Sequence, residues 1–126
     1  AVEIFHEAIE QRKYTCFLKQ DTYLPMMYMP DAIRGTIELM EAPAAKISVR
    51  TSYNFAAMSF SPVDIGNEIK RHIADFSLAH KPDYRQAIAD SWPKSIDDSV
   101  ARNDWGWKPE YDLQRMTRDM LDNLAV

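Results

Sequence analysis

The chain has 126 residues, 46% hydrophobic and 27% charged, with a net charge of −4 from 15 basic and 19 acidic side chains. This is one domain's worth of an ordinary globular composition, able to bury roughly two-thirds of the surface its unfolded chain exposes, which excludes a disordered segment. The acidic balance, with no Lys/Arg cluster longer than Arg12-Lys13 or Lys70-Arg71, argues against nucleic acid as a partner, and no apolar run approaches the ~20 residues that span a membrane.

Val2, Phe5 and Ile9 fall at helical spacing and predict an amphipathic first helix lying on a sheet. Its pattern already runs at Ala1, without an initiating methionine or an N-cap, so the chain reads as part of a longer protein. Residues 14–18 and, beyond a polar KQDT turn, residues 23–29 are two β-prone runs, the second ended by Pro30. Cys16, in the first run, is the single cysteine and excludes an intrachain disulfide. A buried reduced thiol fits its alternating surroundings better than a nucleophile, and favours a reducing compartment.

Asp31 is expected to cap a helix that turns Ile33, Ile37 and Met40 inward and stops at Pro43. The alternation of Ile47, Val49, Thr51, Tyr53 and Phe55 with polar neighbours predicts the clearest strand of the chain. Ser61-Pro62-Val63-Asp64 has the form of a capping box, continued by Ile65, Ile69 and Ile73. Residues 76–80 predict a short strand, and Leu113, Met116, Met120, Leu121 and Leu124 a last helix capped by Asp112. This alternation of helices and strands is the pattern of an α/β fold, here a single unit over residues 1–126.

No complete catalytic set is visible. The three glycines, Gly35, Gly66 and Gly106, are too scattered to bring backbone against a pyrophosphate at a helix N-terminus. A Tyr-x-x-x-Lys pair is absent, the nearest case being Tyr111 with Arg115. His6, His72 and His80 share no metal-ligand spacing, and one cysteine writes no zinc motif, so no metal is expected.

The most informative stretch is 84–107, which holds all three tryptophans. Asp97-Asp98 before Ser99 suits a helix N-cap and first-turn charge better than an acid/base pair. Gly106, with Pro109 beyond it, suits a left-handed helix stop, which makes Trp105 and Trp107 architectural. Trp92 differs, because Ala89-Asp90-Ser91-Trp92-Pro93 shows no periodicity and its large apolar face beside polar groups suits either a small ligand or loop packing. Arg85 and Asp90 suit ionic contacts to a carboxylate or ammonium, or a mutual surface ion pair.

Taken together, YTCFL, DTYLPMMYMPDAI, RQAIADSWP and DDSVARNDWGWKPEYDL resemble the carboxyl-terminal part of L-threonine 3-dehydrogenases of the short-chain dehydrogenase type, within the extended NAD-dependent epimerase/dehydratase superfamily. The resemblance covers nearly the whole chain. It implies an extended Rossmann-type α/β fold, of which residues 1–126 are the substrate-side lobe with short strands and amphipathic helices. The glycine-rich NAD loop and the Ser/Tyr/Lys catalytic residues would belong to the amino-terminal portion that precedes it.

The same resemblance implies oxidation of L-threonine to 2-amino-3-oxobutanoate with NAD, by a homo-oligomer in bacterial cytoplasm or mitochondrial matrix. The partners would be the amino-acid substrate and the remainder of the same enzyme, and the 126-residue chain alone is expected to be inactive. Residues 85–93 are expected to fold over the substrate, with Arg85, Asp90, Ser91 and Trp92 facing it, Trp92 excluding water near the nicotinamide, and Leu24 and Met26 on the pocket wall. One departure bears on the nucleotide-sugar epimerase or dehydratase alternative. Those relatives commonly carry Arg-Asp-Tyr/Phe before the aspartate matching Asp31, the arginine reaching sugar-nucleotide phosphates, whereas this chain reads Leu24-Pro25-Met26. Loss of that bidentate anchor favours a small substrate without phosphate. A non-enzymatic α/β interaction domain is the third reading.

Overall fold

A computed structural model of the chain describes residues 1–125. In order they form α1 (Val2–Gln11), β1 (Lys13–Cys16), β2 (Leu24–Met26), α2 (Met29–Glu41) and a short 3₁₀ turn (Ala44–Lys46). There follow β3 (Met58–Phe60), α3 (Pro62–His72), β4 (Ser77–His80), α4 (Arg85–Asp90), α5 (Ser99–Trp105) and α6 (Leu113–Leu124). The class is mixed α/β, with the strands in two separate pairs. β1 and β4 run parallel, Lys13 opposite Ser77 and Cys16 opposite His80, while β2 and β3 run antiparallel with Leu24 opposite Phe60.

The core lies where α1, α3 and α6 meet. Ile4, Phe5 and Ala8 of α1, Ile65 and Ile69 of α3, and Met116 and Leu121 of α6 close around Phe60 and Phe76. Each fully buried aliphatic side chain there stabilises the fold by about 1.5–3 kcal/mol. The capping box forms as its sequence predicts: the Asp64 amide donates to Ser61 Oγ at 3.3 Å, and the Ser61 amide donates to Asp64 Oδ2 at 3.0 Å. Asp112 caps α6 by accepting from the Arg115 amide at 2.8 Å. Cys16 is buried and free, and desolvation pushes its thiol pKa up, so it is a packing residue in its second, smaller cluster with Leu18 and Ala89.

Two segments depart from expectation. Residues 47–55 form no strand. Instead, the Tyr53 hydroxyl accepts from the amides of Ser48 at 2.9 Å and Val49 at 3.2 Å and donates to Asp104 at 2.7 Å, which folds the segment back on itself. Part of its alternation survives in burial, since Ile47, Val49, Tyr53 and Phe55 are half-buried while Ser48, Arg50, Ser52 and Asn54 are exposed, although Thr51 is exposed as well. The Tyr53 hydroxyl within the segment and Asp104 of α5 thus take amides that a neighbouring strand would have satisfied.

The second correction concerns α2, whose apolar residues Ile33, Ile37 and Met40 face outward. Its inner side is Asp31 and Gly35. A Cβ on Gly35 would stand 2.7 Å from both the Phe55 and Trp107 rings, so helix and aromatic cluster approach too closely for any side chain. Asp31 is not the N-cap; it sits in the first turn and is almost wholly buried. There it accepts from the Tyr111 amide at 2.9 Å, the Glu110 amide at 3.1 Å and Arg34 at 2.9 Å, tying the chain before α6 to the start of α2. Tyr28 adds a bond to Asp119 at 2.6 Å, and burial followed by that carboxylate pushes its phenol up to about 12.

Candidate functional site

The tryptophan-rich stretch divides. Its second half is structural: Trp107 is buried, donates through Nε1 to the Ala56 carbonyl at 2.8 Å, and meets Phe55 edge to face at 5.0 Å. Gly106 has φ of 72°, the left-handed stop that ends α5. Asp98 holds the N-cap position of α5, yet its carboxylate bonds Arg102 at 2.8 Å and the Ala56 amide at 3.3 Å rather than the first turn of its helix. Asp97 is the one that accepts from the Ser99 amide, at 2.9 Å.

The first half is a short helix, α4, where periodicity alone predicted a loop. Six residues are too few to show a repeat. Its organiser is Gln86, which sequence reasoning missed. The buried Gln86 amide accepts from the Lys19 backbone at 2.8 Å, and donates to Thr22 Oγ1 at 3.0 Å and to Asp90 Oδ1 at 2.7 Å. The Gln86/Asp90 spacing, one helical turn, was the available signal. These bonds fix α4 against the turn between β1 and β2.

Asp90 and Trp92 come together on an open cavity of about 200 Å³, with Lys19, Thr22 and Lys94 around it. Trp92 is 57% exposed, although its amide is held by the Ala89 carbonyl at 3.2 Å. Leu24 and Met26 line a different, more apolar cavity of about 110 Å³, with Cys16, Phe60 and Ile65, and Thr22 lies on the wall of both. Ser91 points back, its hydroxyl donating to the Ile88 carbonyl at 2.7 Å. Arg85 pairs with Asp83 at 2.6 Å and lies 3.4 Å over the Phe17 ring. Its guanidinium holds the Asp83 carboxyl below the usual carboxylate range. Of the six sequence-predicted residues, the structure therefore groups Asp90 with Trp92 and Leu24 with Met26, and turns Arg85 and Ser91 to local partners.

Three comparisons bear on this arrangement. No protein-family model matches the chain. The mitochondrial L-threonine 3-dehydrogenase of Bos taurus is 50% identical over 97% of this chain, which corresponds to 33% of that enzyme. The solved holo form of the GalE-like L-threonine dehydrogenase from Cupriavidus necator is 62% identical, with a TM-score of 0.94 over 97% of this chain and 40% of that one. The chain belongs with the L-threonine 3-dehydrogenases of the epimerase/dehydratase superfamily. An uncharacterised epimerase/dehydratase of Staphylococcus haemolyticus, 51% identical over 96% of this chain and 38% of that protein, carries the superfamily's name. The chain thus spans about a third of the length of the curated relatives it matches.

Gly35 is closed by Phe55 and Trp107, a Cβ on Gly66 would meet Leu78 at 2.5 Å, and Gly106 ends a helix, so no glycine frames an open phosphate cradle. Among the described residues, no three of His, Cys, Asp and Glu gather as metal ligands, and no helix is long and apolar enough to cross a membrane.

Proposed function

We propose that the chain forms the substrate-side lobe of an NAD-dependent L-threonine 3-dehydrogenase, which oxidises L-threonine to 2-amino-3-oxobutanoate. The observation that carries this reading is the half-exposed Trp92 ring beside Asp90, on a segment pinned by Gln86, within a chain matched from end to end by threonine dehydrogenases. NAD is held mainly by the portion of the enzyme outside residues 1–126, which also supplies the catalytic residues. The compartment is bacterial cytoplasm or mitochondrial matrix, the intact enzyme is a homo-oligomer, and neither nucleic acid nor a membrane takes part.

In this reading α4 and the residues after it are the lid. Asp90 keeps a carboxylate oxygen free of Gln86 and offers it to the substrate ammonium, a charge-assisted bond worth more once water is displaced. Trp92 closes an apolar face over the amino acid and excludes water. Ser91 presents its hydroxyl to the substrate by releasing the Ile88 carbonyl. Arg85 reaches the substrate carboxylate by exchanging Asp83 for it, which leaves the guanidinium bidentate on one carboxylate in both states. Leu24 and Met26 form the apolar wall beyond Thr22, where a phosphate-bearing substrate finds no cation.

The test is a chimera in which this chain replaces the matching part of the Cupriavidus necator enzyme. Threonine-dependent NADH formation is expected, and Trp92→Ala should lower catalytic efficiency at least tenfold with NAD affinity nearly unchanged. A folded chimera that turns over a nucleotide sugar and not threonine would establish the epimerase reading instead. Turnover by the isolated chain would remove the division of labour between two portions.

A further inference from the structure

Residues 91–98 join α4 to α5 without regular structure and carry Trp92. Residues 91–97 of this strap are all exposed. It borders two cavities: Trp92 and Lys94 line the one that holds Asp90, and Ser95, Ile96 and Asp98 line another of about 200 Å³ together with Met58 and Ser59. Packing therefore does little to fix its course, and that task falls to hydrogen bonds. At the α4 end the fastening is Gln86, bonded to Lys19 and Thr22 just before β2. Beyond Trp92, the Ser59 hydroxyl donates to the Lys94 carbonyl. Among the described residues, that is the one hydrogen bond made to the backbone of residues 93–96.

The alternation of β3 makes this bond available. Met58 and Phe60 turn to the main core, so Ser59 between them faces the other way, opposite Pro25 of β2. Both fastenings thus lie on the β2–β3 pair or on the turn entering it, and Trp92 hangs between them. We infer that Ser59 is a positioning residue, whose hydroxyl pins the Lys94 carbonyl and, with Gln86, holds the strap so that the Trp92 ring is in place before substrate arrives. This rests on the proposed function, in which Trp92 closes over threonine, and it names what holds Trp92 there. A strap fastened at one end only would have to be ordered each time substrate binds, and that lost entropy subtracts from affinity. Loss of the pin therefore weakens threonine binding, and leaves NAD and the step after closure as they were.

The test uses the chimera with Ser59→Ala, Ser59→Val and Ser59→Thr. Ser59 is exposed, so none of the three empties packed space, and the valine and threonine side chains differ chiefly in the hydroxyl. Trypsin under native conditions gives the first readout. The bond after Lys94 is a trypsin site, and its carbonyl is the one Ser59 holds, so cleavage there reports how often the strap comes free. It should be faster by at least about threefold with Ser59→Ala and Ser59→Val and stay at the parental rate with Ser59→Thr, other sites being unchanged. One rate in all four proteins would overturn the inference.

Steady-state kinetics give the second. Ser59→Ala and Ser59→Val should raise the threonine KM about threefold to tenfold, with kcat and the NAD KM within about twofold of the parent, and Ser59→Thr should restore it. An unmoved threonine KM, a loss in kcat alone, or a loss shared by Ser59→Thr would each reject the pin. In a Trp92→Ala background, Ser59→Ala should change the threonine KM by less than about twofold, because the pin acts through Trp92; a full multiplicative loss there would also reject it. The two readings fail separately. A folded chimera that does not oxidise threonine, while cleavage after Lys94 follows the hydroxyl, rejects the dehydrogenase reading and keeps the pin. Threonine oxidation with cleavage and KM indifferent to the hydroxyl does the reverse.

Discussion

Trp92 and Trp107 belong to one aromatic stretch of sequence and have opposite surroundings. Trp107 is buried, hydrogen-bonded to Ala56, crossed by Phe55 and Trp105, and covered by Arg34. Trp92 stands half in solvent with only its backbone held. An aromatic ring with every side engaged is part of the fold. One whose backbone is fixed while its face stays free is placed to receive something. The difference lies in what each tryptophan's neighbours do, because the residue type is the same.

The comparison breaks most visibly at Trp107. Trp107→Ala should cost about 3–5 kcal/mol, since it empties the space against which Gly35 and Phe55 pack. Denaturant unfolding measures it, and a cost below ~1 kcal/mol would show the cluster to be dispensable. Gln86→Ala is the next largest, at about 1–3 kcal/mol, because the Lys19 amide loses its partner in a half-buried site. Hydrogen exchange should then rise at residues 19–22 and in α4, with α3 and α6 unchanged, whereas uniform acceleration would mean that Gln86 is not a local pin.

Acid sharpens the contrast further. Bonds from Arg102 hold the Asp98 carboxyl below the usual range, and bonds from Ser48 and Tyr53 do the same for Asp104. A depressed folded-state pKa contributes stability that is present above the unfolded value, about 3.9, and lost as pH falls through the lower folded one. Emission from Trp105 and Trp107 should therefore hold steady down to about pH 4 and shift only below it. A transition centred well above pH 4, or one that Asp104→Asn leaves in place, would detach these carboxylates from the aromatic cluster. Smallest in stability is Trp92→Ala, expected within about 0.5 kcal/mol of the parent chain by thermal unfolding. A larger loss would make Trp92 a packing residue and weaken its place on the lid.

Local rules in the sequence were followed closely by the structure wherever one element could satisfy itself. The capping box at Ser61, the cap at Asp112 and the left-handed Gly106 involve residues within a few positions of each other, so spacing was enough to find them. The candidate site was only partly legible. RQAIADSWP marked the segment that carries Asp90 and Trp92, but the Gln86 network joins it to Lys19 and Thr22, more than sixty positions away, and no periodicity encodes that pairing. The strand expected over residues 47–55 failed for a related reason: alternation reports two unlike faces, and Tyr53 and Asp104 supply the partners that turn such a segment into a folded loop.

By itself the sequence determined the α/β class, the amphipathic patterns of α1, α3 and α6, the buried thiol and the likeness to threonine dehydrogenases, because these follow from periodicity, composition and motif. Only the tertiary structure decided which face of α2 is inside. The apolar stripe of a helix states that it needs covering and does not state by what. Here the closest approach was claimed by Gly35 and Asp31 against Trp107 and the chain before α6, so the stripe faces outward.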